Sequence, residues 1–513
     1  MPTVESIVSR GFFPRELPPA FSTFVLGQFL AASDSSLPHE FISSDRKAKL
    51  STHNLARSGT LRRQLGIPNP IHFYRLASFI ANNWEPLYFF TANSHLSLTK
   101  PVDCKTGRAI DRQFELHERV LQRSRIRSTA RYIVQTDISR FYPSIYTHSI
   151  PWALHTKSVA KSNRSDSLIG NVLDKLVRNA QDGQTMGIPI GPDSSLLIAE
   201  IILSAVDHKL DIKGLINGFR YIDDYEFGFM TLAEAEDAIS QLQNILCEYE
   251  LALNPKKTEI INLPLPAEHP AISEIRVFNF RSTTVGQQSD LIRYFDRVFA
   301  LARENPEGCI IAYAVSRLSG VIVILPANMS LLENLLLQSI INEPGAIRQV
   351  LNQLLRLREA GLGFDIERVS QVLNGVIQQH APKGHGSEVA WAIWGLIVFE
   401  MPFEAANLDV AINMNDPVVS ILLLDAMNKS LLPKTADISH FEPIMTTDEL
   451  YGDQWLLSYE ANVKGWVPSP GGNDHVSAEP CFSFLKSHNI HFYDDTLSTR
   501  IGYVPPQGWI SPY

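Results

Sequence analysis

Asp137, Asp223 and Asp224 are the side chains in this sequence best suited to do chemistry together. Two of them are adjacent in Tyr221-Ile222-Asp223-Asp224-Tyr225. Apolar residues alternate on both sides, Phe219 and Tyr221 before the pair and Tyr225, Phe227 and Phe229 after it. A two-residue period flanking an acidic pair predicts a β-hairpin with two carboxylates at its tip. Like charges brought together at an apex suggest a bound cation. Asp137 closes a second β-rich run, Arg131 to Asp137, and opens Thr136-Asp137-Ile138-Ser139-Arg140-Phe141-Tyr142-Pro143. Carboxylates on neighbouring strands are the hard oxygen ligands that Mg²⁺ takes, with waters and substrate phosphates completing its shell. Nucleotidyl transfer needs two such ions roughly 3.5–4 Å apart, one to lower the pKa of an attacking hydroxyl and one to hold the triphosphate and pyrophosphate. Asp137 and Asp223 are expected to bridge the ions, with Asp224 secondary. An Asp-Asp turn by itself is most often only exposed; the upstream acid, the aromatic strand and a Gly/Pro loop together reverse that reading.

Several elements must position these residues. The segment Gly11 to Pro19 is rich in aromatics and prolines and is expected to be extended, after which helices and loops alternate to residue 130. Residues 150–180 are expected to be helical, and Asp182 to Asp193 to be a loop. Pro192 and Asp193 then open a helix with Ile198, Ile201, Ile202 and Ala205 at helical spacing. After the hairpin come an amphipathic helix, Thr231 to Tyr249, and a turn and strand, Leu251 to Ile261. A composition break at Leu263-Pro264-Leu265-Pro266 marks a boundary, with connecting elements up to about residue 290. Seven helices are expected beyond it, 290–303, 310–318, 330–341, 345–360, 366–378, 387–400 and 417–427, and their pairing suggests a helical repeat stack. Trp455, Trp466, Phe482, Phe484 and Trp509 are expected to pack back as a cap.

The chain has 513 residues, enough for several domains, and a net charge of −9. Residues 1–265 carry 29 Lys and Arg against 27 Asp and Glu, while residues 266–513 carry 16 against 27. The halves differ in kind, +2 against −11. Lys105 to Arg131 holds eight basic and three acidic residues. That run reads either as a solvated helix face or as a cationic wall for phosphates. Four scattered cysteines read as free thiols in a reducing cytoplasm. No signal peptide is indicated, and apolar runs such as Trp391 to Phe399 are too short for a bilayer.

In this order the strand ending in Asp137, the loop Gly183-Gln184-Thr185-Met186-Gly187-Ile188-Pro189-Ile190-Gly191-Pro192 and the Tyr-Ile-Asp-Asp hairpin resemble the palm and fingers motifs of reverse transcriptases. The resemblance implies a steric gate at Tyr142, whose ring would exclude a 2′-hydroxyl and so select deoxynucleotides. It implies a general acid near the leaving pyrophosphate at Lys257, within Leu253-Asn254-Pro255-Lys256-Lys257-Thr258. Arg108 in the fingers strand, Gln184 in the loop, and Phe141 with Tyr142 are its nucleotide-binding set. Asp137, Ile138, Asp223 and Asp224 are its metal set, for Mg²⁺ or Mn²⁺. The usual loop reads Pro-Gln-Gly. The departure from it, with Gly11-Phe12-Phe13-Pro14-Arg15-Glu16-Leu17-Pro18-Pro19 and Ser144-Ile145-Tyr146-Thr147-His148, is similar to bacterial abortive-infection polymerases of the AbiK type and their prophage relatives, grouped with defence-associated reverse transcriptases.

This resemblance covers residues 11–262 by motif. It implies an α+β fold with reverse-transcriptase-like fingers and palm over 1–290. An all-α, HEAT-like repeat domain over 291–513 would stand in place of a thumb. It further implies template-independent DNA synthesis from deoxynucleoside triphosphates, primed by a protein hydroxyl. The single-stranded product would stay covalently attached to a cytoplasmic homo-oligomer without a membrane partner, acting in anti-phage abortive infection. Two alternatives stand beside it: an RNA-templated enzyme of the retron or group II intron kind, and a helical-repeat binding protein with a dead palm. A retron-like chain would end soon after a small basic thumb, and intact Asp137, Asp223, Asp224 and Tyr142 oppose a dead palm. No HNH, integrase, RNase H or maturase-like segment is evident.

Overall fold

The computed structural model describes residues 1–32, 37–57, 61–432 and 436–497; Trp509 of the expected cap lies outside them. Among the described residues eight strands form three sheets. β1 (Ser51–Ala56) and β2 (Arg62–Ile67) make one hairpin, and β3 (Pro101–Asp103) and β4 (Ile110–Arg112) a second. β5 (Tyr132–Asp137), β6 (Gly218–Tyr221), β7 (Asp224–Phe229) and β8 (Glu259–Asn262) make an antiparallel sheet in the order β6-β7-β5-β8.

The period-two alternation flanking the acidic pair has a direct structural meaning. Phe219 and Tyr221 join Ile133, Leu98 and Ile126 in a small core under helix His117–Arg127. Tyr225 and Phe227 point the other way, into the main core with Ile198 and Ile202 of helix Asp193–Ile212. Both sheet faces are therefore covered, and Ile133 and Val134 are both buried. Helix Leu232–Glu248 packs on β5 and β7, and Thr231 and Glu234 close its N-terminus as a capping box.

Two expectations for the N-terminal part are corrected. Gly11 to Pro19 is not extended: helix Val4–Gly11 leads into turns in which the Leu17 and Phe21 amides donate to the carbonyls of Pro14 and Pro18. The hairpins β1–β2 and β3–β4 interrupt what reads as helices and loops. Ser51 to Ala56 carries no apolar alternation because its neighbours are met through polar contacts. Asn54 donates to the Gly384 carbonyl at 2.8 Å, and the Ala56 amide donates to Ser387 Oγ at 2.9 Å.

The C-terminal half is helical. The expected helices appear as Thr284–Glu304, Ile310–Val321, Met329–Asn342, Ile347–Glu359, Ile366–His380, Gly386–Val398 and Pro417–Asn428. A division at 290/291 would cut the first of these, which Thr283 caps, so a break in the chain belongs before that cap. The chain then returns to its beginning. Trp455 is fully buried and donates from Nε1 to the Ile67 carbonyl at 3.2 Å. Phe492 stacks on Phe12, and Tyr493 meets Phe21 edge-on at 5.1 Å.

Candidate active site

The strand register brings the aspartates together. Asp137 at the end of β5 is the cross-strand partner of Asp224 at the start of β7. Directly opposed residues project to the same face, with Cβ atoms about 4.5–5.5 Å apart. Asp223 occupies the turn between β6 and β7, and its carbonyl accepts from the Ile138 amide at 3.2 Å. The sequence-predicted Asp137, Ile138, Asp223 and Asp224 therefore meet in one place.

The electrostatics of the cluster are unfavourable for three free charges. Burial, then the Asp224 and Asp137 carboxylates, push Asp223 up to about 6. Asp224 is half-exposed and accepts from Arg119 at 3.3 Å. Asp137 takes Lys257 Nζ on Oδ2 at 2.5 Å, while its Oδ1 is buried with no hydrogen-bond partner among the described residues. A buried carboxylate oxygen without a donor is costly unless something outside the chain satisfies it.

Asp137, Ile138, Asp223, Tyr142 and Lys257 border a cavity of about 2920 Å³. Its far walls come from the N-terminal segment, the β1–β2 hairpin and the C-terminal helices. Fifteen Lys and Arg residues line it against nine Asp and Glu, although the whole chain is acidic.

Residues 77–295 match the family described as Reverse transcriptase (RNA-dependent DNA polymerase). This stretch is similar to a reverse transcriptase domain. The match covers less than half of the chain and likens that stretch to a polymerase domain, a nucleotidyltransferase. Among solved structures the chain is similar to apo telomerase from Candida tropicalis, with 12% identity and a TM-score of 0.32 over 80% of this chain and 68% of that one. The same telomerase in complex with a TWJ fragment of telomeric RNA gives 11% identity and a TM-score of 0.31 over 77% and 68%. No curated protein matches the chain.

Within the matching stretch the other expected residues divide. Tyr142 lines the cavity beside Asp223, and burial, then the Asp223 and Glu200 charges, push its hydroxyl well above the ordinary tyrosine range. Phe141 is 2% exposed and backs Tyr142 edge-on with ring centroids 5.3 Å apart, so its ring supports that of Tyr142.

Arg108 borders the cavity with its guanidinium already bonded within the protein. Its guanidinium is taken by Asp193 and by the carbonyls of Phe13, Gly11 and Gly191, which fastens the N-terminal segment to the start of helix Asp193–Ile212. Gln184 is exposed and lies outside the cavity lining; Ile190 is the loop residue on that wall. The signal was present in Pro189-Ile190-Gly191, which keeps the outer residues of Pro-Gln-Gly.

The basic run Lys105 to Arg131 is largely spent inside the domain. Arg123 and Arg127 pair with Glu226 at 2.8 and 2.7 Å, and also donate to the carbonyls of residues 265–267.

Sequence reasoning missed Arg220. It is fully buried, forked onto Glu200 and Asp207, and donates to the Ile222 carbonyl at 2.9 Å. Thr99 Oγ1 accepts from the Ile222 amide at 3.0 Å. Ile222 is thus clamped from both sides at φ 55°, a left-handed conformation that β-branched residues rarely adopt. The clamp sets where Asp223 points. Burial opposes ionisation of Glu200, but Arg220 outweighs it and holds that carboxyl below its ordinary range. The only advance signal was an arginine at a core-facing position of a strand.

Proposed function

We propose that the chain is a DNA polymerase in which Asp137, Ile138, Asp223 and Asp224 hold a pair of divalent ions, Mg²⁺ or Mn²⁺. The observation that carries this is the buried, unpartnered Oδ1 of Asp137, in register with Asp224 and beside the charge-resisting Asp223. Bound there, such ions would lower the pKa of the attacking hydroxyl and neutralise the triphosphate. The chain's own residues supply the rest. Tyr142 walls the sugar C2′ side and selects deoxynucleotides. Lys257, beside Asp137, returns a proton to the leaving pyrophosphate. The basic side chains of the cavity hold a single strand through its phosphates.

On this reading synthesis is template-independent and primed by a hydroxyl of the protein, leaving DNA covalently attached to a homo-oligomer that acts in abortive infection. Support comes from the motif resemblance over residues 11–262 and from the cavity's closure by helices of the C-terminal half. Those helices would form a HEAT-like repeat domain in place of a thumb. A second reading, RNA-templated synthesis, is favoured by the description of the matching family.

Purified protein incubated with Mg²⁺ and labelled deoxynucleotides, without template or primer, separates the two. Label that stays with the protein through denaturation supports self-priming, and dependence on added RNA supports the second reading. Asp223→Ala should abolish incorporation in either case while the circular dichroism spectrum is kept. A folded variant that still polymerises rejects the metal assignment.

A further inference from the structure

We infer that His380, His385 and Glu388 form a binding site for one divalent transition-metal ion, Zn²⁺ by ligand preference, built on elements other than those of the aspartates. His380 ends the helix Ile366–His380, and His385 precedes the helix Gly386–Val398, whose first turn carries Glu388. Gly384 reverses the chain between them at φ 66°, a left-handed conformation that glycine adopts without penalty. The reversal sets the two Nδ1 atoms 2.9 Å apart, and Glu388 Oε1 lies 3.9 and 3.7 Å from them. All three candidate ligand atoms fall within 4.8 Å of one another. Donors bonded to Zn²⁺ at about 2.0–2.2 Å must stand about 3–3.5 Å from each other, so small side-chain adjustments close the set on one ion.

Two imidazole nitrogens facing each other at 2.9 Å cannot both carry a proton. Either one donates to the other, or both turn lone pairs to a cation. Moving a ring proton from Nδ1 to Nε2 frees the second lone pair with no change of charge.

The surroundings hold the carboxylate in place. Arg62 of β2 holds both Glu388 oxygens, at 2.5 and 2.7 Å, and Ser387 Oγ donates to Oε2 at 2.6 Å. Ligating carboxylates are ordinarily oriented by such outer partners. His380, His385 and Glu388 all border the cavity, which gives an ion a path in and leaves a coordination position for solvent. Two imidazoles select Zn²⁺ over Mg²⁺, so the site would not compete for the polymerase ions. Through Arg62 the ion would join the β1–β2 hairpin to the C-terminal helices.

The test uses the full chain, stripped with a chelator and dialysed, with Co²⁺ as the spectroscopic probe and Zn²⁺ as competitor. One equivalent of Co²⁺ should give d–d bands that Zn²⁺ removes. His380→Gln and His385→Gln, which keep polar side chains of similar reach, should each lose the bands. Arg62→Gln should weaken binding by about 10–100-fold. Asp223→Ala should retain the equivalent. No bands in the folded wild type would overturn the proposal. So would retention in both histidine variants, or loss in Asp223→Ala instead, which would place the ion on the aspartates.

Discussion

Asp223 is ionised only against resistance from burial and from two neighbouring carboxylates. Its folded value of about 6 stands above the ordinary 3.8. Between those values the folded chain holds a proton that the unfolded chain has released, so metal-free stability falls as pH rises through this window. Asp223→Asn removes the penalty. In chelator at neutral pH it should raise unfolding stability by about 1–3 kcal/mol in urea titrations, while nucleotide incorporation is lost. Tyr142→Ala should admit ribonucleotides, read as the ratio of ribo- to deoxynucleotide incorporation; an unchanged ratio would reject the gate.

At this scale the sequence was informative where chemistry and strand period coincide. Asp137, Asp223 and Asp224 were legible because alternation predicts which residues share a hairpin. The surroundings of Arg108 and Gln184 were not legible because neither burial nor loop orientation is written in a short motif. Arg108 meets Asp193, 85 residues away, and nothing local announces that pair.

Among elements, the β6–β7 turn depends on a buried charge network. Arg220→Leu would leave Glu200 and Asp207 buried without their cation and release the Ile222 carbonyl. Breaking a buried pair in this way costs about 3–5 kcal/mol, which denaturant unfolding would register. Restoring charge with Arg220→Lys should recover only part of this, because a point charge cannot fork onto two carboxylates. The seven expected helices of the C-terminal half were legible to within a few residues from apolar spacing, apart from the early start of Thr284–Glu304, whereas Leu408–Ile412, Trp455–Val463 and Pro480–Ser487 were not. The β1–β2 hairpin was not legible. Many of its contacts are polar and reach residues more than 300 positions away, as in Arg62 with Glu388 and His53 with Asp416.

The whole molecule is closed by contacts between its two ends. Trp455 sits against Phe12 and bonds to the β2 backbone, so Trp455→Ala should cost about 3–5 kcal/mol in a thermal or denaturant melt. For the same reason residues 1–290 expressed alone should expose Phe12, Phe21 and the β1–β2 surface, and bind a hydrophobic dye that the full chain does not. A cooperative, dye-silent fragment would show that the N-terminal part folds independently. No described helix is long and apolar enough to cross a membrane.

β5 lies between β7 and β8, and its last residue faces Asp224. One amino acid added or removed there would turn Asp137 to the opposite side of the sheet and carry Val134 out of the core with it. Length in those six positions is therefore under stricter inheritance than composition. A library of single-codon insertions across the gene should show this strand as a gap in the surviving clones, while conservative apolar swaps within it persist.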